Sequence, residues 1–359
     1  LLTHVVVVQE AGLSNQMTQA PLLLRAARGE KVERSPVWMM RQAGRHMKAY
    51  RDLVKKYPTF RDRSETPEAA LAISLQPWKS YGVDGVILFS DILTPLPAMG
   101  VEFEISEGGA IAIAPVRTQE ALDKLNRIDV ETAAPFVGEV LGKLRKEVGN
   151  TATVLGFIGL PFTLATYLVE GKTGTKTGFS EVAKMREENP ELLHSILDLL
   201  TKNIADYGCY QIKSGAQVIQ IFDSWAGHLP EDEYRKFALP YQRRVVETIK
   251  ERHPGVPVII YMAPDEFSKD GKLLHLLSDS GADIVSLDHT VQVGSEIVTD
   301  GVPAALGIQG NLDPKILRNG PKEEIKRATE EILSAGYKRG FHMMNLGHGI
   351  EADTPEDNA

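Results

Sequence analysis

One cysteine, no long apolar run and no excess of basic residues mark this chain, and each shortage excludes a class of protein. Cys209 is the only cysteine among 359 residues, which excludes an internal disulfide and a cysteine-rich metal site and fits a reducing compartment. No stretch approaches the roughly 18 uninterrupted apolar residues of a membrane-spanning helix. The formal net charge of −8 disfavours a nucleic-acid partner, because nucleic acids require a basic face.

What is present is the composition of an ordinary globular domain, with 43% hydrophobic and 25% charged residues. We assign residues 17–359 to one domain and expect its last helix to be truncated at Ala359. The segment Leu1–Gln16 fits no element that follows. We interpret it as the remnant of a processed leader or as a disordered tail.

Short apolar runs alternate with longer helical stretches along the chain. The runs are rich in Val, Ile and Phe, as strands buried on both faces are, and they predict strands at Pro36–Met40, Gly85–Phe89, Thr153–Ile158, Val218–Phe222, Val256–Met262, Asp283–Leu287, Ala304–Ile308 and His342–Asn345. The intervening pattern predicts helices at Glu68–Lys79, Pro135–Val148, Pro190–Ser214, Glu231–Glu251 and Lys322–Ala335. Eight strands alternating with helices predict an α/β fold in which a parallel sheet closes into a single (β/α)8 TIM barrel.

The alternative fold is a doubly wound open sheet, which needs a phosphate-binding fingerprint near its switch point. Gly156–Gly159 has the wrong spacing for a dinucleotide loop, and Gly171–Gly178 lacks the Gly-Lys-Ser/Thr ending of a P-loop. We interpret Gly171–Gly178 as a mobile loop.

Ionisable residues follow the predicted strands at their carboxyl ends, where a TIM barrel builds its active site. Arg41 and Arg45 follow the first strand, Asp91 follows the second and His348 follows the eighth. Arginine suits carboxylate binding because its planar guanidinium donates two parallel hydrogen bonds. The competing interpretations are ordinary surface arginines, a helix-capping aspartate and a plain loop histidine. The constellation indicates a site for an anionic organic substrate.

Two other kinds of site lack their sequence patterns. The chain has no HExxH motif and no second cysteine to accompany Cys209, which excludes a thiolate zinc site. It also has no nucleophile-elbow signature for a Ser-His-Asp arrangement.

Five segments resemble the uroporphyrinogen decarboxylase family in the same order. PVWMMRQAGR at Pro36–Arg45 resembles the first signature of that family, and GFIGLPFTLATYLVEG at Gly156–Gly171 resembles the second. DGVILFSDILTPLP at Asp84–Pro97, IFDSWAGHL at Ile221–Leu229 and NLGHG at Asn345–Gly349 match the same family. The resemblance covers nearly everything from Met17 to the C-terminus.

The resemblance implies a carboxy-lyase that removes the four acetate carboxyls of uroporphyrinogen III, giving coproporphyrinogen III and CO2 in heme and chlorophyll biosynthesis. It implies that Asp91 hydrogen-bonds to the pyrrole N–H groups and stabilises the cation formed when a ring is protonated. Arg41 and Arg45 would bind substrate carboxylates, and one of them would take part in proton delivery. The substrate-binding residues that it implies are Gln42, Ala43, Gly44, Tyr167, Phe222, Ser224 and His348.

The resemblance also bears on cofactor, assembly and location. A pyrrole protonated at carbon serves as its own electron sink, so no cofactor and no metal are expected. The family forms homodimers, and we expect one here. The closest likeness is to versions from photosynthetic lineages, which together with the leader indicates the plastid stroma, with the cytoplasm as the alternative.

Three features depart from the family pattern. The segment Ala263–Asp270 is longer and more acidic than expected, His289 stands where a tryptophan is usual, and the chain ends at Ala359 inside an expected helix. An acidic loop repels a polycarboxylate unless it points away. Two alternatives stay open: a corrinoid-dependent methyltransferase, which uses a zinc site with His and Cys ligands, and a catalytically altered assembly subunit.

Overall fold

The computed structural model describes residues 19–105, 111–172 and 178–359. The predicted leader Leu1–Gln16 and most of the predicted mobile loop Gly171–Gly178 therefore lie outside the described residues. Within the described ranges, no helix is long and apolar enough to cross a membrane.

The centre of the structure is a parallel sheet of seven strands. In chain order the strands of the described residues are β1 (Gly85–Ile87), β2 (Phe103–Ile105), β3 (Ile111–Ile113), β4 (Thr153–Gly159), β5 (Val218–Phe222), β6 (Val258–Tyr261), β7 (Ile284–Ser286), β8 (Gly307–Gln309) and β9 (His342–Met343). The sheet order is β1-β4-β5-β6-β7-β8-β9, and β2 and β3 form a separate antiparallel pair. Because this order never reverses, the doubly wound alternative is wrong.

The first predicted strand, Pro36–Met40, is wrong as a strand. Only an isolated parallel bridge between Val37 and Met344 forms there. Pro36 has no N–H to donate, and a turn begins at Met39, whose carbonyl accepts from the N–H of Gln42 at 2.8 Å. The segment still contacts both edges of the sheet, since Met344 N–H donates to the Pro36 carbonyl and Asp84 N–H donates to the Val37 carbonyl.

The other seven predicted strands are confirmed within a few residues at each end. Burial explains their apolar sequences, because β4 is buried along nearly its whole length and β6 and β7 are buried throughout. The β2–β3 pair was not predicted, since its three-residue strands are too short to show a period.

Helices cover the sheet between the strands, as the alternation predicts. The long ones are Pro67–Tyr81, Pro135–Val148, Pro161–Glu170, Ser180–Glu188, Pro190–Lys213, Leu239–Arg252 and Lys322–Arg339. The shorter ones are Leu22–Ala27, Lys48–Lys56, Phe60–Glu65, Gln119–Leu122, Val130–Ala133, Glu231–Phe237, Leu274–Ser278, Glu296–Gly301 and Pro314–Asn319.

Two helix predictions need correction. The predicted helix Glu231–Glu251 is two helices, Glu231–Phe237 and Leu239–Arg252. Pro240 has no N–H to donate to a preceding turn, and it lies in the first turn of the second helix, where no such donor is needed. The expected truncated last helix is a 3-10 turn at Glu356–Asn358.

A polar layer lies inside the otherwise apolar core. The indole Nε1 of Trp38 donates to Oε1 of Gln309 at 2.8 Å. Nε2 of Gln309 donates in turn to Oε1 of Gln220 at 3.1 Å and to Oγ of Ser286 at 2.9 Å. All four side chains are buried, and their mutual hydrogen bonds offset the cost of removing them from water. The layer ties the Trp38 segment to β5, β7 and β8.

Candidate active site

The strand ends that the sequence marks as polar converge around the side chain of Arg41. The charge of Arg41 acts on the ionisation of Asp91, after β1, and of His348, after β9. It also acts on Tyr167, in the helix after β4, and on Tyr261, at the end of β6. The structure therefore brings four of the predicted site residues together at one end of the sheet: Arg41, Asp91, Tyr167 and His348.

The backbone around Arg41 is strained and tightly packed. Arg41 has φ of 59°, a left-handed conformation that costs a non-glycine residue about 1–3 kcal/mol. Gly44 cannot carry a side chain, because a Cβ there would lie 2.8 Å from the Arg41 carbonyl oxygen. A Cβ on Gly349 would lie 2.5 Å from Cδ of Arg41. The two glycines thus leave room for both the carbonyl and the side chain of Arg41.

Asp91 is half-buried at the end of β1. Its Oδ1 accepts from the N–H of Leu93 at 2.8 Å, and its own N–H donates to Oγ1 of Thr94 at 3.2 Å. Removal from bulk water raises the pKa of the Asp91 carboxyl, while the Leu93 N–H and the positive charge of Arg41 act in the opposite direction. Among the described residues a single hydrogen bond reaches the carboxylate, which leaves acceptor capacity for a ligand, since an ionised carboxylate has about four lone-pair sites.

Aromatic side chains form one wall beside Asp91. Phe222, half-buried at the end of β5, packs edge-on against Phe157 and Tyr261 with 5.9 Å between ring centroids in both pairs. Tyr167 packs edge-on against Trp225 at 5.9 Å. Burial, followed by the nearby charge of Asp91, raises the pKa of Tyr167 to about 12. The Tyr167 hydroxyl is therefore a neutral hydrogen-bonding group at physiological pH.

His348 follows β9 and keeps solvent access. Its ring is perpendicular to that of His289 at 6.4 Å between centroids. Partial burial of the ring, followed by the charges of Arg41 and His289, lowers the pKa of His348. The two histidine loops touch through their backbones, because a Cβ on Gly347 would lie 2.3 Å from the His289 nitrogen.

The other predicted site residues contribute differently. The side chain of Gln42 is buried and fully used, since Oε1 accepts from Met39 N–H and Nε2 donates to the Gly85 carbonyl. Ala43 and Ser224 are half-buried beside the strand ends. Arg45 is exposed, and the structure fixes its backbone through a hydrogen bond from Arg51 to its carbonyl at 2.8 Å. Among the described residues, no contact draws the Arg45 side chain toward Asp91.

Asp223 is a buried carboxyl that was not among the predicted site residues. It follows β5 and has no solvent exposure. It accepts from the N–H and hydroxyl of Thr163 at 3.1 and 2.7 Å and from Nε2 of Gln242 at 2.8 Å. Burial raises its pKa to about 6 despite these hydrogen bonds. Asp223 thereby fixes the first turn of Pro161–Glu170, the helix that carries Tyr167.

The acidic segment Ala263–Asp270 borders a cavity of its own. Asp265 pairs with Nδ1 of His228 at 2.9 Å. The cavity is lined by Asp265 and Glu266 and, on its other sides, by Phe179, Arg186 and Trp225, among others. Its lining residues do not include Asp91, Arg41 or His348. At least one acidic side chain of this segment is thus paired with a neighbouring histidine.

The described residues also bear on metal binding. Residues 19–105, 111–172 and 178–359 contain no group of three or more His, Cys, Asp or Glu side chains arranged to hold a metal ion. Cys209 is buried in the helix Pro190–Lys213, and burial raises the pKa of its thiol.

Comparison with solved structures gives the fold a wider context. A methyltransferase from Methanosarcina mazei superposes with a TM-score of 0.78 over 95% of this chain and 96% of that one, at 21% sequence identity. At that identity the likeness shows a shared fold alone.

Comparison with curated sequences identifies the family. The family model for uroporphyrinogen decarboxylase (URO-D) matches residues 18–359. A uroporphyrinogen decarboxylase from Nostoc sp. is 52% identical over 94% of this chain and 94% of its own length. Another, from Synechocystis sp., is 50% identical over 95% and 96%. The chain therefore belongs to the uroporphyrinogen decarboxylase family.

Proposed function

We propose that the protein removes the four acetate carboxyls of uroporphyrinogen III, releasing coproporphyrinogen III and CO2 in porphyrin biosynthesis. Two relatives named uroporphyrinogen decarboxylase share about half of their aligned residues with this chain, over almost its whole length. The observation that carries the proposal is a half-buried carboxyl with unused acceptor capacity, Asp91, at the strand ends, close enough to Arg41 for the arginine's charge to act on its ionisation.

A carboxylate near an arginine suits a substrate that carries many carboxylates and becomes locally cationic during reaction. Protonation of a pyrrole carbon creates an iminium-like cation. The bond between the acetate methylene and its carboxylate then breaks, CO2 leaves, and the bonding electrons flow into the cationic ring. A proton added to the methylene carbon gives the methyl group, and loss of the first proton restores the pyrrole.

Each proposed residue has a part in this scheme. Ionised Asp91 accepts hydrogen bonds from the pyrrole N–H groups and stabilises the developing positive charge by a preorganised negative one. Arg41 and Arg45 bind substrate carboxylates, and the charge of Arg41 also favours the ionised form of Asp91. The neutral hydroxyl of Tyr167, together with Ser224 and His348, binds acetate or propionate groups. The ring of Phe222 and the backbone of Gln42–Gly44 line the pocket.

The direct test is turnover without additions. Purified protein is incubated with uroporphyrinogen III under anaerobic conditions, and the partly decarboxylated products are separated by chromatography. Successive loss of four carboxyl groups supports the proposal. A protein that leaves the substrate unchanged, while its thermal unfolding shows that it is folded, would refute it.

We also propose that the seven strands and the Pro36–Met40 segment form a (β/α)8 barrel. Support comes from the hydrogen bonds that this segment makes beside both edge strands.

We propose a homodimer because of the family resemblance. We propose the plastid stroma as its location because of the likeness to cyanobacterial sequences. Light scattering of the purified protein tests the dimer, and imaging of the tagged full-length protein tests the location against the cytoplasm.

A further inference from the structure

The loop that carries Arg41 is tied to the last strand through one buried asparagine. Asn345 is 1% exposed and follows β9. Its Oδ1 accepts from the N–H of Met40 at 2.8 Å and from the N–H of Leu346 at 2.7 Å. Because both bonds need an acceptor, they fix which end of the amide faces the Arg41 loop.

A second bond closes the connection. The carbonyl of Met40 accepts from the N–H of Ile350 at 3.0 Å. Both backbone groups of the residue before Arg41 are thus held by the segment Asn345–Ile350. The same segment supplies Gly349, against which the Arg41 side chain lies.

The amide nitrogen of Asn345 takes no part in these hydrogen bonds. Nδ2 of Asn345 is buried and has no hydrogen-bond partner among the described residues. A buried unpaired amide costs free energy, so a side chain that only filled space would be better apolar. The hydrogen bonds at Oδ1 must therefore offset that cost, and one of them holds the strained turn at Arg41.

We propose that Asn345 is a positioning residue for Arg41: it fixes the Met40–Arg41 turn so that the guanidinium faces Asp91 and the substrate carboxylates. The inference rests on the proposed role of Arg41. Removing the Oδ1 acceptor frees the Met40 N–H and allows the left-handed turn to relax toward an ordinary conformation. The Arg41 side chain then leaves its place over Gly349, and the pocket loses a carboxylate ligand.

The test compares Asn345→Leu with Asn345→Asp. Leucine removes the acceptor, and we expect KM for uroporphyrinogen to rise about ten- to a hundredfold, the scale of a misplaced binding group. Aspartate keeps both hydrogen bonds, since Nδ2 donates none, and should restore most of the lost affinity. The acid limb of the kcat/KM profile of Asn345→Leu should also move to higher pH, because Asp91 loses the cation that opposes its raised pKa.

A matched control separates positioning from stability. Asn203 is equally buried and ties residues 126–128 to the helix Pro190–Lys213 through Oδ1 and Nδ2. Asn203→Leu should lower the melting temperature and leave KM and the pH profile unchanged. If Asn345→Leu behaves like Asn203→Leu, the positioning role is refuted.

Gly349→Ala provides a second route if Asn345→Leu does not fold. The φ of Gly349 is not in the left-handed region, so alanine is acceptable to the backbone, and its Cβ displaces the Arg41 side chain directly. A rise in KM with a shifted acid limb supports the inference, and wild-type values for both overturn it.

The double variant Asn345→Leu with Arg41→Ala distinguishes the two levels of the argument. If Asn345 acts through Arg41, the leucine substitution adds nothing further to KM once Arg41 is gone. Additive effects overturn the positioning role while leaving Arg41 as a binding residue. An Arg41→Ala variant with wild-type kinetics instead overturns the proposed role of Arg41, and the inference falls with it.

Discussion

Asp91 and Asp223 follow two strands of the same sheet, at the same end, yet their surroundings differ. Those of Asp91 suit ligand binding, and those of Asp223 suit a structural role. Asp91 is half-buried and accepts one backbone hydrogen bond, from Leu93. Asp223 has no exposure and accepts three hydrogen bonds, two from Thr163 and one from Gln242. Burial raises the pKa of both carboxyls.

The difference lies in what remains unsatisfied. Asp223 uses most of its acceptor capacity on protein donors, and through Thr163 it fixes the helix that carries Tyr167. Asp91 keeps free lone pairs and lies near the charge of Arg41. A carboxyl meant for a ligand is thus recognised by its unused hydrogen-bonding capacity rather than by its burial or its raised pKa.

The strongest way to break this comparison is Asp91→Asn. The amide keeps the shape but removes the negative charge, and we expect kcat to fall about 10²-fold or more, as for single electrostatic groups in water-excluded sites. Anaerobic turnover measures the loss. The melting temperature should stay near that of the wild type, because only one hydrogen bond to the side chain is at stake; near-normal turnover would contradict the role of Asp91.

The pH dependence of the wild type sharpens the same point. The ionised form of Asp91 is the one that stabilises a cation, and the pKa of this carboxyl is raised. Activity should therefore be lost as the pH falls through a value above the ordinary range of aspartate, and this acid limb of kcat/KM should be absent from the residual activity of Asp91→Asn.

Next in size is the exchange of Arg41 for lysine. The positive charge survives, but the planar fork that binds a carboxylate through two hydrogen bonds is lost. We expect coproporphyrinogen to bind about tenfold more weakly, which corresponds to about 1.4 kcal/mol, as measured by anaerobic calorimetry. Arg45→Lys tests the second proposed ligand in the same way, and the exposed Arg235→Lys serves as control. Unchanged affinity in both Arg41→Lys and Arg45→Lys would exclude bidentate binding by either residue.

For Asp223 the expected effect falls on stability rather than on turnover. Its pKa is raised to about 6 in the folded protein, so the folded state holds the proton more tightly than the unfolded chain does. The free energy of unfolding should therefore fall by about 3 kcal/mol in total as the pH rises from about 3 to about 7, with most of the fall between about pH 4 and 6, and then level off. Denaturant unfolding across this range measures it.

Asp223→Asn should remove that pH-dependent contribution. The new amide can still be satisfied if the amide of Gln242 turns over, because the Tyr234 hydroxyl that now donates to Gln242 can also accept. The exposed Asp232→Asn is the control and should retain the wild-type slope. An Asp223→Asn variant with an unchanged slope would show that another group titrates.

The sequence predicts much of the fold because strands buried on both faces need continuous apolar runs, and seven of eight such runs are strands. It fails at Pro36–Met40, where side chains decide the backbone: Gln42 takes up the Met39 N–H and Asn345 takes up the Met40 N–H. Such bonds join residues up to 305 positions apart, and no local pattern reveals them.

The candidate site was predicted through the positions after strands, which is why Arg41, Asp91 and His348 were chosen. Gln42 was assigned to the pocket through its backbone, by its place in a motif, and its side chain turns inward to β1. Asp223 occupies the same kind of position as Asp91, and only its partners Thr163 and Gln242 show that it is structural. The position along the chain predicts that a residue lies at a strand end. Its burial and its hydrogen-bond partners determine whether the side chain is structural or can bind a ligand.

The smallest expected effect is that of metal removal, and it bears on the difference between the two aspartates. If the cation of the reaction is a protonated pyrrole balanced by Asp91, no metal is needed to hold electrons or to activate water, and chelator treatment should leave both turnover and the melting temperature unchanged. A methyltransferase of the corrinoid-dependent kind would instead carry zinc. The measurement is metal content of the purified protein by mass spectrometry, followed by turnover with and without chelator. Activity that disappears on chelation and returns with zinc would mean that the free acceptor capacity of Asp91 serves a metal ion, and the proposed mechanism would have to be abandoned.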